Sequence, residues 1–199
     1  MDFAGKRKYS LNEDFFLSIN TEEKAYWLGF FLADGCKTER EIRINIKEQE
    51  HLKKFLADID SDRPLYIDNR GYALVAIKSR KLVASVAKTW EEVPNISNIL
   101  LRHFWRGVFD GDGHIGYHNN PQRKSYQTLH CILVGEKATC AQFKSFIIDN
   151  SIDTKANVIK HNTANCWKFA TSGNKLVKSI HSLLYDNSSV SLDRKRMVV

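Results

Sequence analysis

Two stretches of this 199-residue chain each close an apolar run on an acid followed by glycine: WLGFFLADG at residues 27–35 and WRGVFDGDG at residues 105–113. Asp34 and Asp112 are the residues with chemistry to offer. Carboxylate oxygens suit hard divalent ions such as Mg2+ or Mn2+, and a cation shared between two acids makes a centre for metal-assisted phosphoryl transfer. Either stretch taken alone is also explained as a helix end and a turn, because Asp and Gly are common turn residues. The repetition weakens that explanation. A second pair of similar segments, AIKSRKLVASVAKTW and FATSGNKLVKSIHSLLY, follows in the same order. The chain therefore reads as a duplicated unit, with halves at 1–98 and 99–199.

The elements that must position the acids follow from residue spacing. Gly29 and Ala33, and likewise Gly107 and Gly111, lie one helical turn apart on one face. Small residues at that spacing allow two helix backbones to approach closely. The first apolar run is hydrophobic nearly all round and must be buried, most simply against its twin. Such packing brings Asp34 and Asp112 together at the ends of the helices, with Gly35 and Gly113 as helix stops. A carboxylate there faces the negative end of the helix dipole, at a cost of about 0.3–1 kcal/mol, and two such acids repel each other. A shared cation relieves both penalties.

After the first helix, EIRINIK alternates Ile42, Ile44 and Ile46 with Arg43, Asn45 and Lys47, the pattern of a half-buried strand. EQEHLKKFLADI places Leu52, Phe55, Leu56 and Ile59 on one helical face, PLYIDNRGYALVAIKS is a hairpin turning at residues 69–71, and RKLVASVAKTWEEV is a closing helix. The second half repeats this order with a longer hairpin around Asn-Asn-Pro-Gln. The expected architecture is α+β, pseudo-twofold, with one body rather than two independent domains.

Composition narrows the partners. Residues 1–100 carry 16 Lys and Arg against 16 Asp and Glu, whereas residues 101–199 carry 14 against 7, so the net charge of +7 lies in the second half. That points to a polyanion. No apolar run reaches the ~20 residues of a membrane span, and the first residues lack a signal-peptide pattern, which predicts a cytoplasmic protein with no membrane partner. Cys36, Cys131, Cys140 and Cys166 form no C-x-x-C pair, which predicts reduced thiols and no structural zinc. His114 and His118 share strand parity, and His130 is placed to face them across the hairpin. A zinc site and plain polar contacts are both readings of that trio, the contacts being the commoner outcome.

The paired stretches resemble the two signature helices of a single-chain LAGLIDADG homing endonuclease of bacterial or phage type, and the order of elements resembles that family's αββαββα half. The resemblance implies a central packed helix pair and two antiparallel sheets forming a saddle over double-stranded DNA. It implies a monomer with internal pseudo-dimer symmetry that cuts both strands of a long asymmetric target. Asp34 and Asp112 take the catalytic metal-binding position with Mg2+ (or Mn2+), and Ala33 and Gly111 adjoin the same metal. Asp110 keeps a second, structural acid where the first half has Leu32. Lys195, flanked by Arg194 and Arg196, takes the place of the basic residue near the scissile phosphate, and Ile96 stands in the matching place of the first half. An isoleucine cannot stabilise a developing charge; slow cutting, recruitment of Lys47, nicking, or binding without cleavage all follow from it. A repressor-like DNA-binding protein and an RNA-splicing maturase are the alternatives on the same scaffold. The DNA contacts implied are Lys37, Arg43, Asn45 and Lys47 in the first half, and His118, Asn119, Arg123, Lys124, Gln127 and Arg194 in the second. A hydrolase acting on a small molecule lacks support from the basic polar strand face.

Overall fold

A computed structural model of the chain describes residues 7–87, 96–120, 123–161 and 166–199, and the side chains of residues 120–126 lie outside the described set. The first half runs α1 (Glu22–Asp34), β1 (Gly35–Lys37), β2 (Glu41–Ile46), α2 (Gln49–Asp58), β3 (Tyr66–Ile67), β4 (Ala73–Lys78) and α3 (Arg80–Ala87). The second half repeats it as α4 (Asn98–Asp112), β5 (Gly113–Asn120), β6 (Arg123–Gly135), α5 (Lys137–Asp149), β7 (Val158–Lys160), β8 (Trp167–Ser172) and α6 (Asn174–Tyr185), and adds a short α7 (Asp193–Arg196). The last helix was not expected from the sequence, and the end of the predicted closing helix of the first half, beyond Ala87, lies outside the described residues.

Each half forms a four-stranded antiparallel sheet, in the orders β1-β2-β4-β3 and β5-β6-β8-β7. The expected alternation in β2 holds: Ile42, Ile44 and Ile46 are buried while Arg43 and Asn45 are exposed. The β3–β4 turn is built by Asp68, whose carboxylate accepts from the N–H groups of Arg70 and Tyr72, with Gly71 at φ +82° where a side chain would be strained. Among the described residues no helix is long and apolar enough to cross a membrane.

The same aromatic joint fastens each signature helix to its half. Trp27 and Phe31 of α1 pack on Phe55 of α2, with ring centroids 5.0 and 5.3 Å apart. Trp105 and Phe109 of α4 pack on Phe143 of α5 at 5.5 and 5.8 Å. Every one of these rings is at most 1% exposed, and each such burial contributes roughly 1.5–3 kcal/mol. Thr21 caps α1, accepting from the Lys24 N–H, and Glu22 and Glu23 complement the helix dipole in the first turn.

Gly35 and Gly113 do follow the last helical residues, but not in the left-handed conformation of a glycine helix stop. Their φ values are −79° and −89°, with extended ψ. Glycine is required for space: an added Cβ would lie 2.4 Å from the Phe31 carbonyl oxygen at Gly35 and 2.4 Å from that of Phe109 at Gly113. The chain passes from helix to strand with no connecting loop, directly beside each acid.

Candidate functional site

The two signature helices meet at their small residues. A Cβ on Gly29 would stand 2.0 Å from the Phe104 carbonyl oxygen, one on Gly107 2.0 Å from that of Tyr26, and one on Gly111 2.4 Å from Ala33 Cβ. Backbone touches backbone along the seam, so α1 and α4 end side by side. The hypothetical Gly111 Cβ would also lie 3.4 Å from the Asp34 carboxyl carbon, which places Asp34 against the last turn of the opposite helix.

Asp34 and Asp112 are both exposed, at the joint between helix end and sheet. Crowding by the surrounding protein, and then the nearby charge of Asp34, push Asp112 up to about 6 against the pull of Lys195. Crowding also raises Asp34; Lys195 opposes the rise, Glu48 adds to it and Arg194 opposes it. Acids that resist ionisation yet stay open to water are poised for a cation. Among the described residues no three His, Cys, Asp or Glu side chains gather into a metal cage. Two carboxylates beside the backbone of Ala33 and Gly111 match the sparse protein ligation of Mg2+, which keeps waters and takes phosphate oxygens for its other positions.

A buried polar network holds this seam in place. Asp110, fully buried, accepts hydrogen bonds from Tyr26 Oη (2.7 Å), Tyr185 Oη (2.6 Å) and the Leu192 N–H (2.7 Å). Arg106, also fully buried, donates to the carbonyls of Val190 (2.8 Å) and Leu184 (3.0 Å) and to Glu22 (2.6 Å). Burial, then the neighbouring Arg106, lower His103 to about 4, so it is neutral and its Nδ1 accepts from Arg106 at 2.8 Å. Arg106 was not anticipated. An arginine on an otherwise apolar helix, one turn before a buried acid, is the signal that would have marked it.

Lys195 is 3% exposed and lies beneath the last turn of α4, where its ammonium donates to the carbonyls of Phe109 (2.7 Å) and Asp110 (2.6 Å). Burial lowers it to about 8, while Asp110, Asp34 and Asp112 act to keep it charged. It thus offers positive charge to both Asp34 and Asp112 from below the helix end. Arg194 points outward and pairs with Glu48 at 2.6 Å. Ile96, the first-half counterpart of Lys195, is buried in the apolar core.

Sheet register sorts the remaining residues by face. Arg43 and Asn45 lie on the exposed face of β2, and Lys47 follows in the same alternation with its ammonium over the Tyr72 ring. Glu41 pairs with Arg43 and offsets its charge. Lys37 is opposite Ile42 yet stays exposed at the end of β1, and exposed Cys36 is opposite Arg43. In the second sheet His118 shares its face with His114 and His130: its Nε2 is 3.4 Å from that of His114 and its ring 4.6 Å from that of His130. Asn119 and Gln127 are opposite each other on the other parity, and Gln127 donates to Asn119 at 3.1 Å. The side chains of Arg123 and Lys124 lie outside the described residues. Register adds residues that single-strand reading missed: Tyr66 and Leu74 beside Asn45, and Thr128, Lys168 and Ser172 on the His118 face. They sit on second and third strands, whose pairing a sequence does not print.

The sequence matches no family model and no curated protein. Solved structures match its fold over most of the chain. The I-LtrWI LAGLIDADG homing endonuclease bound to target DNA aligns with a TM-score of 0.62 at 9% identity, over 88% of this chain and 86% of that one. I-SmaMI, bound to an uncleaved DNA target in the presence of calcium ions, aligns with a TM-score of 0.57 at 9% identity, over 89% and 87%. The N-terminal LAGLIDADG domain of DUF199/WhiA aligns with a TM-score of 0.56 at 17% identity, over 87% and 89%. Identities this low establish architecture alone.

Proposed function

From the LAGLIDADG fold of this chain as premise, we propose that it is a site-specific endonuclease that cuts both strands of a long, asymmetric double-stranded DNA target. Asp34 and Asp112 hold the divalent cation, Mg2+ or Mn2+, beside the backbone of Ala33 and Gly111. The cation, when bound, supplies Lewis acidity for phosphodiester hydrolysis. The residues themselves do the rest. Gly29, Gly107 and Gly111 set the spacing of the two acids; Lys195 offsets their charge and that of the scissile phosphate. The face of Arg43, Asn45 and Lys47 and that of His118 and Lys168 lie along the DNA, where the major groove distinguishes base pairs. The observation that carries this reading is the meeting of two exposed acids, one pushed up to about 6, at paired helix ends between two sheets.

A supercoiled plasmid carrying the uninterrupted form of the gene's own insertion locus tests it. Cleavage to linear DNA with Mg2+, lost in Asp112→Asn while gel-shift binding persists, is the expected result. Tight binding with no cut in either Mg2+ or Mn2+ sinks the endonuclease reading. One observation favours a second reading, nicking or binding without cleavage, as by a repressor or an RNA-splicing maturase: buried Ile96 leaves the first half without a counterpart to Lys195. Persistent nicked circles with little linear product would select it.

A further inference from the structure

We propose that the cleft between the N-terminus of α2 and the segment leading into α7 is a seat for a DNA backbone phosphate flanking the Asp34–Asp112 site. The inference rests on the DNA-binding reading above and adds a contact that reading does not contain. The cleft encloses about 430 Å³ and is lined by Lys47, Glu48, His51, Lys54, Ser191 and Arg194, among others.

Four observations converge on a ligand, and on its sign. First, two buried polar atoms on this cleft have no hydrogen-bond partner among the described residues: His51 Nδ1 and Ser191 Oγ, on side chains 4% and 2% exposed. Leaving one such group unpaired costs about 1–3 kcal/mol, so two at one cleft point to a partner from outside the protein. Second, α2, a ten-residue helix, begins here with no side-chain cap, the Glu48 carboxylate being turned to Arg194; the His51 N–H bonds the Glu48 carbonyl, and the N–H groups of Gln49 and Glu50 have no side-chain acceptor among the described residues. Such a helix start favours an anion.

Third, the acids around the cleft are already matched: Glu48 by Arg194 (2.6 Å), Glu50 by Lys53 (2.7 Å) and Asp193 by Arg196 (3.1 Å). Lys47 and Lys54 remain as the excess, positive charge. Fourth, the cleft adjoins the metal acids, since Glu48 and Arg194 both act on the charge of Asp34. The orientation of His51 completes the picture. Tyr26 Oη gives its proton to Asp110, so His51 Nε2, 2.8 Å from that oxygen, must be the N–H and Nδ1 the bare acceptor. Nδ1 therefore meets a phosphate through a bridging water, a common device at protein–DNA interfaces, while Ser191 Oγ–H, the N–H groups of Gln49 and Glu50 and Lys54 contact it directly.

The experiment is a salt titration of binding to a long mixed-sequence duplex by wild type, Lys54→Met, Ser191→Ala and the double variant. Lys54 is exposed, so its variant tests the site without disturbing the core. The expected result is a loss of roughly three- to tenfold, equal for target and non-target duplexes, with the slope of log K against log salt reduced by about one in the Lys54 variant. A neutral methylphosphonate scan should reveal one position, near the cleavage site, whose substitution weakens wild type but not the double variant. An unchanged slope and affinity, or a loss confined to one sequence, overturns the seat while leaving DNA binding intact. Failure of wild type to bind any duplex at low salt overturns both.

Discussion

Replacing Asp112 by asparagine should make the metal-free protein more stable at neutral pH, although it removes half of the proposed metal site. The folded chain pushes this carboxyl from 3.8 to about 6, chiefly through crowding and the charge of Asp34. A carboxyl with a higher pKa folded than unfolded binds its proton more tightly in the native state. Its contribution therefore favours folding below the unfolded pKa and is lost as pH rises through the folded one. Above about pH 6 the ionised side chain exacts its full penalty. Two units of pKa set a ceiling of about 3 kcal/mol, but the side chain is exposed, and solvent screening brings the figure to about 1 kcal/mol.

Asparagine keeps the shape of the neutral acid and never ionises. Urea or thermal denaturation in EDTA should then show the variant about 1 kcal/mol more stable near pH 7.5, or about 2–4 °C higher in Tm. The advantage should shrink as pH falls below about 6 and vanish by about pH 3, below both pKa values of the wild-type acid. Added Mg2+ should stabilise wild type and not the variant, narrowing the gap. A variant that is equal or less stable near pH 7.5, or an advantage that persists at low pH, would refute the crowding of the two acids.

Gly107→Ala should cost about 1–3 kcal/mol despite alanine's better helix propensity, because its Cβ would meet the Tyr26 carbonyl at 2.0 Å; urea unfolding at constant m-value checks it. Asp110→Asn should cost about 2–4 kcal/mol, because an amide cannot accept from Tyr26, Tyr185 and Leu192 together; a variant as stable as wild type in the same urea assay would disprove the network. Arg106→Met should cost about 3–5 kcal/mol by stranding Glu22 and the carbonyls of Leu184 and Val190, and limited proteolysis should then cut between α6 and α7 first.

Local pattern carried far into this fold, and it stopped where long-range pairing began. The acid–glycine repeats and the Gly29, Ala33, Gly107 and Gly111 stripes predicted a helix pair because close approach has a one-dimensional signature. The alternation of Ile42, Ile44 and Ile46 marked the buried face of β2 for the same reason. Lys37 reads as a groove contact in sequence; register sets it opposite Ile42 at the end of β1, where it stays exposed, and a sequence prints neither. Asn119 and Gln127 read as separate DNA contacts in sequence; register sets them opposite each other, exposed and joined by one hydrogen bond. The phosphate seat was invisible because it joins residues 47–54 to 191–194 across the two halves.

The asymmetry of the halves has one physical origin rather than several. At matching positions of α1 and α4, Leu28 corresponds to Arg106 and Leu32 to Asp110, and beyond the last helices Ile96 corresponds to Lys195. The second half carries a buried charge network at these places and the first carries apolar side chains. A buried lysine survives only with acceptors and a counter-charge: Lys195 has the α4 carbonyls and the carboxylate of Asp110. With leucine in place of the acid, a lysine at position 96 would lose that counter-charge, so Leu28, Leu32 and Ile96 form a consistent apolar set. Restoring a base by Ile96→Lys alone should therefore destabilise the fold without raising first-strand cutting, whereas Ile96→Lys with Leu32→Asp should recover part of the lost stability. If the single change by itself speeds linearisation of the target plasmid, then the first half lacks only the base, and the coupling argued from Asp110 is wrong.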